Sequence, residues 1–258
     1  MKNIESNFTQ EIVLPSNGLL NPELQDGRLI QRCMMVSDQK FLSGSTMTAG
    51  AAIQQLLQRT IESPEEFDVK KLTLPDTLFL LFKLRILSYG NMYTFKTRCP
   101  ECGERISVTL DLSELPVEFL EEGFAETLVA KLPHRGDKVY TKLLTNQDID
   151  EIDKELKRRK RKSMNTEEGD YVLRIVKSIE KIELSKPNAD NKSELTHPID
   201  IERYVNSLTD LDASAIIAAR DSVRFGVIPA VEYTCPECSN YIDVNIQFSS
   251  EFFRPQFN

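Results

Sequence analysis

Cys99-Pro100-Glu101-Cys102 and Cys235-Pro236-Glu237-Cys238 are two copies of one short motif, and their flanks decide how the chain is read. Strand-like runs surround each copy: Tyr93 to Arg98 and Ile106 to Leu112 around the first, Val231 to Thr234 and Tyr241 to Phe248 around the second. A tight turn between two strands that presents two thiolates is a zinc knuckle, and two knuckles complete a tetrahedral four-cysteine site. The 132 residues between the motifs make a long loop, but closure entropy grows only slowly with length. Cys99, Cys102, Cys235 and Cys238 are therefore expected to share one structural zinc that ties the middle of the chain to its end.

Other chemistry is open to a CxxC. A thioredoxin-like redox pair sits at a strand-to-helix junction, whereas Ile106, Val108, Leu110 and Ile242, Val244, Ile246 alternate after both motifs as strands do. Two disulfides would need an oxidising compartment, and no secretory segment heads the sequence. Separate or vestigial sites are the remaining alternative. A catalytic zinc is disfavoured, because four thiolates leave no position for water. The two histidines, His134 and His197, stand at no ligand spacing from either CxxC.

Composition bounds the function classes. A hydrophobic content of 40% and a charged content of 28% over 258 residues suit a soluble globular protein with ample core. The net charge of −8 argues against a nucleic-acid binder working through a broad basic face. The longest apolar run, Leu78 to Leu87, is broken by Lys83 and Arg85 and falls short of the roughly 20 residues that span a bilayer. The fifth cysteine, Cys33, lies in a strand-like run, Leu29 to Val36, and reads as a small buried hydrophobe.

Along the chain, the first 45 residues read as extended, with Ile12 to Leu14 ending at the turn Pro15-Ser16-Asn17-Gly18 and pairing with Leu29 to Val36. Residues 47 to 62 read as a helix that Pro64 stops. Leu74 opens a second, widely apolar helix that ends at Gly90. Val139 to Leu144 reads as a strand, and Glu118 to Phe124 as a short helix or loop. Thr145 caps a helix with Ile149, Ile152 and Leu156 on one face. That helix ends in six basic residues, Lys157 to Lys162, downstream of a run of acids, so its charge runs with the macrodipole. Val172, Ile175, Val176 and Ile179 form another helical face. Pro198 and Asp200 start a helix through Leu208, and Thr209 or Asp210 caps the next.

The expected fold class is α+β, with zinc-knuckle hairpins packed with helices. Its organisation reads as an extended N-terminal arm or hairpin (1–45), a zinc-bearing core (46–144 plus 227–258) and a helical insertion (145–226). The aromatic C-terminal segment, with Phe248, Phe252, Phe253 and Phe257, is expected to dock on this protein's core or on a partner. No nucleophile elbow, glycine-rich phosphate loop or carboxylate pair at metal spacing marks an enzyme.

The Leu14-Pro15-Ser16-Asn17-Gly18 turn and the segment LFLLFKLRILSYGNMYTFKTRCPECG (residues 78–103) resemble the T-even-type phage baseplate hub family. The shared pattern is carried here by Asp76, Arg85, Ser88, Tyr89, Gly90, Cys99, Cys102, Cys235 and Cys238. The resemblance implies a structural or assembly component of a contractile tail baseplate, in the virion tail or in the host cytoplasm during assembly. Other tail proteins would be its partners, and the family supplies no catalytic residues to carry over. The alternative is a zinc-ribbon-type binding module in transcription or translation, whose paired CxxC motifs usually stand closer together and beside a basic face.

Overall fold

The computed structural model describes residues 8–45, 47–124, 127–161, 167–187, 191, 193–246 and 252–253. It is mixed α+β, with small antiparallel sheets and helices distributed between two compact units. The first comprises Met1–Val69, Pro75–Leu120 and Phe225–Asn258, and the second Lys70–Leu74 and Glu121–Arg224.

In the first unit β1 (Thr9–Val13) pairs antiparallel with β2 (Arg28–Arg32). The connection is clipped shut by glycines. Gly18 and Gly27 both have positive φ, and a Cβ on Gly18 would lie 2.6 Å from the Gly27 nitrogen. Only glycine permits both the conformation and the approach. The turn is also pinned from afar: the Ser16 N–H donates to Asp76 Oδ1 (3.1 Å), and the Leu120 N–H to the Pro15 carbonyl (2.8 Å).

The reading of the first 45 residues as extended needs correction at α1 (Val36–Gly44). This helix has no strong apolar stripe. Its first turn is fixed instead by Asp38, which accepts the Met35 N–H (2.8 Å) and pairs with Arg32 (2.7 Å) and Arg59 (2.9 Å) while fully buried. A helix held by charge pairs leaves no periodicity to read. After it come α2 (Ala49–Thr60), capped by Thr48, and β3 (Ile61–Ser63), which adds to the edge of β2.

The central helix of this unit is α3 (Leu74–Tyr89). Phe79, Leu80, Leu81, Phe82, Leu84 and Arg85 are all buried, so it is covered on most of its circumference, as its wide apolar face requires. Gly90 ends it at φ +82°, with its N–H on the Ile86 carbonyl (2.8 Å). The chain then enters a hairpin of β4 (Met92–Arg98) and β5 (Arg105–Asp111). Further along the sequence β6 (Val117–Glu118) pairs with β11 (Gly226–Val227), and β12 (Ala230–Thr234) with β13 (Tyr241–Asn245).

The second unit is one four-stranded antiparallel sheet, in the order β10 (Glu194–Leu195), β9 (Ile179–Glu183), β8 (Lys138–Thr141), β7 (Leu128–Lys131). Helices α4 (Asn146–Arg161), α5 (Glu167–Ser178), α6 (Pro198–Val205) and α7 (Asp210–Asp221) accompany it. Ala130, Val139, Ile182 and Leu195 project from one sheet face into a core with Ile175, Ile201, Tyr204 and Ile216. Strands β7, β9 and β10 go beyond the sequence reading. Ile179 opens β9 rather than closing α5, because the helix stops one residue earlier at Ser178, whose hydroxyl bonds back to the Ile175 carbonyl.

Helix starts follow the sequence closely. Thr145 Oγ1 accepts the Asp148 N–H (3.3 Å) and Asp148 accepts the Thr145 N–H (3.0 Å), a reciprocal cap on α4. Thr209 caps α7 through the Asp212 N–H (3.3 Å). His197 caps α6, with Pro198 at its first position.

Candidate metal centre

The two CxxC hairpins are built alike. In the first, the Cys99 N–H donates to the Glu104 carbonyl (2.9 Å) and the Gly103 N–H to the Cys99 carbonyl (2.9 Å). In the second, the Cys235 N–H donates to the Asn240 carbonyl (2.9 Å) and the Ser239 N–H to the Cys235 carbonyl (2.9 Å). Gly103 and Ser239 occupy matching positions, both left-handed at φ +76° and +61°. That conformation costs glycine little and serine more, so the second knuckle retains the turn at some strain. Beyond the turns, Ile106, Val108 and Leu110 of β5 are buried, and so are Ile242, Val244 and Ile246 in and after β13. Tyr233 Oη of β12 donates to the Ser107 carbonyl of β5 (3.4 Å), linking the two hairpins.

This pairing brings the four sequence-predicted sulfurs together. All lie within 4.8 Å of one another, with Cys99 Sγ 3.8 Å from Cys238 Sγ and Cys102 Sγ 3.9 Å from Cys235 Sγ. Disulfide sulfurs sit at about 2.05 Å, so these are thiols. A tetrahedron with zinc–sulfur bonds of about 2.3 Å has an edge of about 3.8 Å. The donor set and its spacing fit such an ion. Cys99 and Cys235 are buried, Cys238 is half-buried and Cys102 is exposed, so the cluster is open on one side.

Electrostatics within the cluster point the same way. The N–H groups of Cys102 and Glu101 aim at the Cys99 sulfur and hold its pKa down to about 7. The Glu104 N–H does the same for Cys102, but burial and the neighbouring thiols outweigh it and push Cys102 up to about 12. Cys238 is also raised, its Asn240 N–H donor being outweighed by burial and Cys235. Cys99 thus ionises readily while Cys102 and Cys238 resist. A divalent cation at the centre would remove that conflict.

The first hairpin is anchored to α3 by a buried cation. Arg85 is 1% exposed; its guanidinium donates to the Gly90 (3.0 Å) and Met92 (3.4 Å) carbonyls and lies over the rings of Tyr89 and Tyr93. Ser88 Oγ accepts the Met34 N–H (2.9 Å), and Tyr89 Oη meets Gln39 Nε2. The Arg85, Ser88, Tyr89, Gly90 run thus fixes where α3 stops and how β4 leaves it. Phe252, fully buried, meets Phe82 and Tyr93 edge-on at 5.5 and 5.1 Å, and Gln39 Nε2 donates to the Phe253 carbonyl. These two rings therefore pack within the protein; Phe248, Phe257 and the rest of the expected docking segment lie outside the described residues.

Cys33 is buried apart from this cluster, its N–H on the Phe8 carbonyl, as a small hydrophobe would be. Both histidines belong to the second unit. The His134 N–H donates to Asp212 (2.9 Å) and its ring meets Thr209, while His197 caps a helix. In the basic run, Arg158 pairs with Glu155, and Arg159 with both Glu155 and Glu202; Lys162 lies outside the described residues. No helix among the described residues is long and apolar enough to cross a membrane.

The contribution of Gly103 and Ser239 was legible only by laying one motif over the other, and that of Phe252 had no signal beyond its aromatic run. No curated protein and no solved structure matches the chain. The pattern of the family described as T4 bacteriophage base plate protein matches residues 21–254, which takes in both hairpins, the Arg85 anchor and the whole second unit, and the chain belongs to that family.

Proposed function

We propose that Cys99, Cys102, Cys235 and Cys238 hold one structural zinc, and that the protein is a structural or assembly component of the hub of a contractile phage tail baseplate. The observation that carries the metal is the set of four sulfurs contributed by two equivalent hairpins, spaced as tetrahedral ligands are. Four thiolates would saturate the ion, so it would supply charge neutralisation and a cross-link rather than an activated water. Its role would be to lock the hairpin following α3 to the hairpin near the C-terminus, fixing a rigid surface for contacts with other tail proteins. In this reading residues 1–45 act as an arm and 145–226 as an insertion carried between the halves of the site. The transcription-type ribbon is not favoured by the family, and no catalytic step is invoked.

Complementation tests the reading. Phage supplied only with the Cys99→Ser, Cys235→Ser chain should accumulate incomplete baseplates, and wild-type chain should restore them. The chain should be found by mass spectrometry in purified tails or, if it acts in assembly, in baseplate intermediates from the host cytoplasm. Normal infectious tails formed without the chain would overturn it.

A further inference from the structure

The second unit carries a cavity of about 540 Å³ beside α6, within the range of roughly 300–1,000 Å³ typical of ligand sites. Its floor is apolar, formed by Leu184, Leu195 and the ring of Tyr204. Its one buried carboxylate is already committed. Asp137 accepts the Ser185 N–H (2.7 Å), the Ser185 hydroxyl (2.9 Å) and the Tyr204 hydroxyl. Burial alone would raise its pKa, but these donors hold it below the ordinary carboxylate range, so it is ionised and builds the wall.

Beside Asp200, which pairs with Arg203, the charged groups left to meet a ligand are cations. Arg135 stacks over Tyr204 at 4.7 Å and spends Nη2 on the Ser207 carbonyl and hydroxyl. That fixes its plane and leaves Nη1 and Nε without a hydrogen bond among the described residues. Arg203 is 76% exposed, with Asp200 no closer than 3.6 Å, and Lys186 has no partner among the described residues. The basic end of α4 is tied to the same helix, because Arg159 bonds Glu202 at 2.6 Å, next to Arg203. In a chain of net charge −8, three cations gathered at one hollow, Arg135, Arg203 and Lys186, make it complementary to an anionic ligand.

We propose that this cavity receives an acidic, apolar-containing segment of a partner protein. Its carboxylates would pair with Arg135, Arg203 and Lys186, and an adjoining aliphatic side chain would rest on Leu184, Leu195 and Tyr204. A free phosphate, or the sugar-phosphate backbone of a nucleic acid, would leave that apolar floor unused. The inference rests on the baseplate reading only for the source of the segment, another tail protein.

The test uses the full chain and a fluorescein-labelled acetyl-Leu-Glu-Leu-Glu amide peptide, read by anisotropy at low and high salt. The wild-type chain should bind, more weakly at high salt. The Lys186→Glu, Arg203→Glu variant changes only exposed groups; it should keep its melting temperature and lose roughly tenfold or more in affinity. Absence of binding, equal binding by the variant, or displacement by inorganic phosphate or a short DNA duplex as effective as by unlabelled peptide would overturn the proposal. Peptide binding is read without tails, so it fails or succeeds independently of the complementation test.

Discussion

The two units reach stability by different routes. The second has, among the described residues, a four-stranded sheet and a contiguous apolar cluster running from Ala130 to Ile216. Among the described residues, the first distributes its strands over one three-stranded sheet and three two-stranded ribbons. A two-stranded ribbon is marginal by itself, so these pieces need ties that a sheet does not. The ties are visible: Asp38 between Arg32 and Arg59, Asp76 on the Ser16 turn, Arg85 on the hairpin entrance, and the four-cysteine cluster. The first unit thus adds long-range polar ties to its own buried apolar residues, Leu14, Leu56, Leu80 and Val108 among them, while the second gathers its core on one sheet.

The sharpest way to break this contrast is Cys235→Ser. Structural zinc sites are worth on the order of 10 kcal/mol at neutral pH, as much as a domain's whole stability. The first unit should lose its cooperative melting and become protease-sensitive. Calorimetry with limited proteolysis should find Glu121–Arg224 still resistant. Equal loss in both units would show that their stabilities are not separate.

Ile182→Ala is the complementary change. Ile182 is fully buried in β9, an inner strand of the sheet, and its truncation should cost about 2–5 kcal/mol. The melting transition of the second unit should fall while metal content stays unchanged. A drop in bound metal would contradict the division.

Asp38→Ala should cost the first unit about 2 kcal/mol, less than a fully buried pair because Arg59 is 42% exposed. Burial pushes the Asp38 pKa up, but Arg32, the Met35 N–H and Arg59 outweigh it and hold it below the ordinary value. A carboxylate depressed by folding stabilises fully above its unfolded pKa, and loses that contribution as pH falls through its folded one. The penalty of the variant, measured by denaturant titration, should therefore be constant near neutrality and shrink only below the ordinary carboxylate range. The smallest expected effect is Thr209→Ala, which removes the cap of α7 and should cost the second unit about 1 kcal/mol by thermal melting.

What could be read from the sequence follows the same division of forces. The CxxC hairpins, α3 and the starts of α4, α6 and α7 were legible because turn chemistry, caps and alternation are local signals. Helix α1 was not, since Asp38 is held by Arg32 from before it and Arg59 from beyond it, and no window contains all three. Strands β7 and β10 are four and two residues long and exist through pairing with β8 and β9, which a linear reading does not display. Of the site, the four ligand candidates were legible from their motif. Their equivalence at Gly103 and Ser239, the Phe252 contact with Tyr93 and the Arg135 cavity were not, because each depends on residues far apart in the chain.

Metal content of the natively purified chain tests the central claim most directly. One shared centre predicts one zinc per chain by elemental analysis, and its loss from both motifs together when Cys235 and Cys238 are changed to serine. No zinc, two zincs per chain, or zinc retained by Cys99 and Cys102 alone in that variant would contradict it.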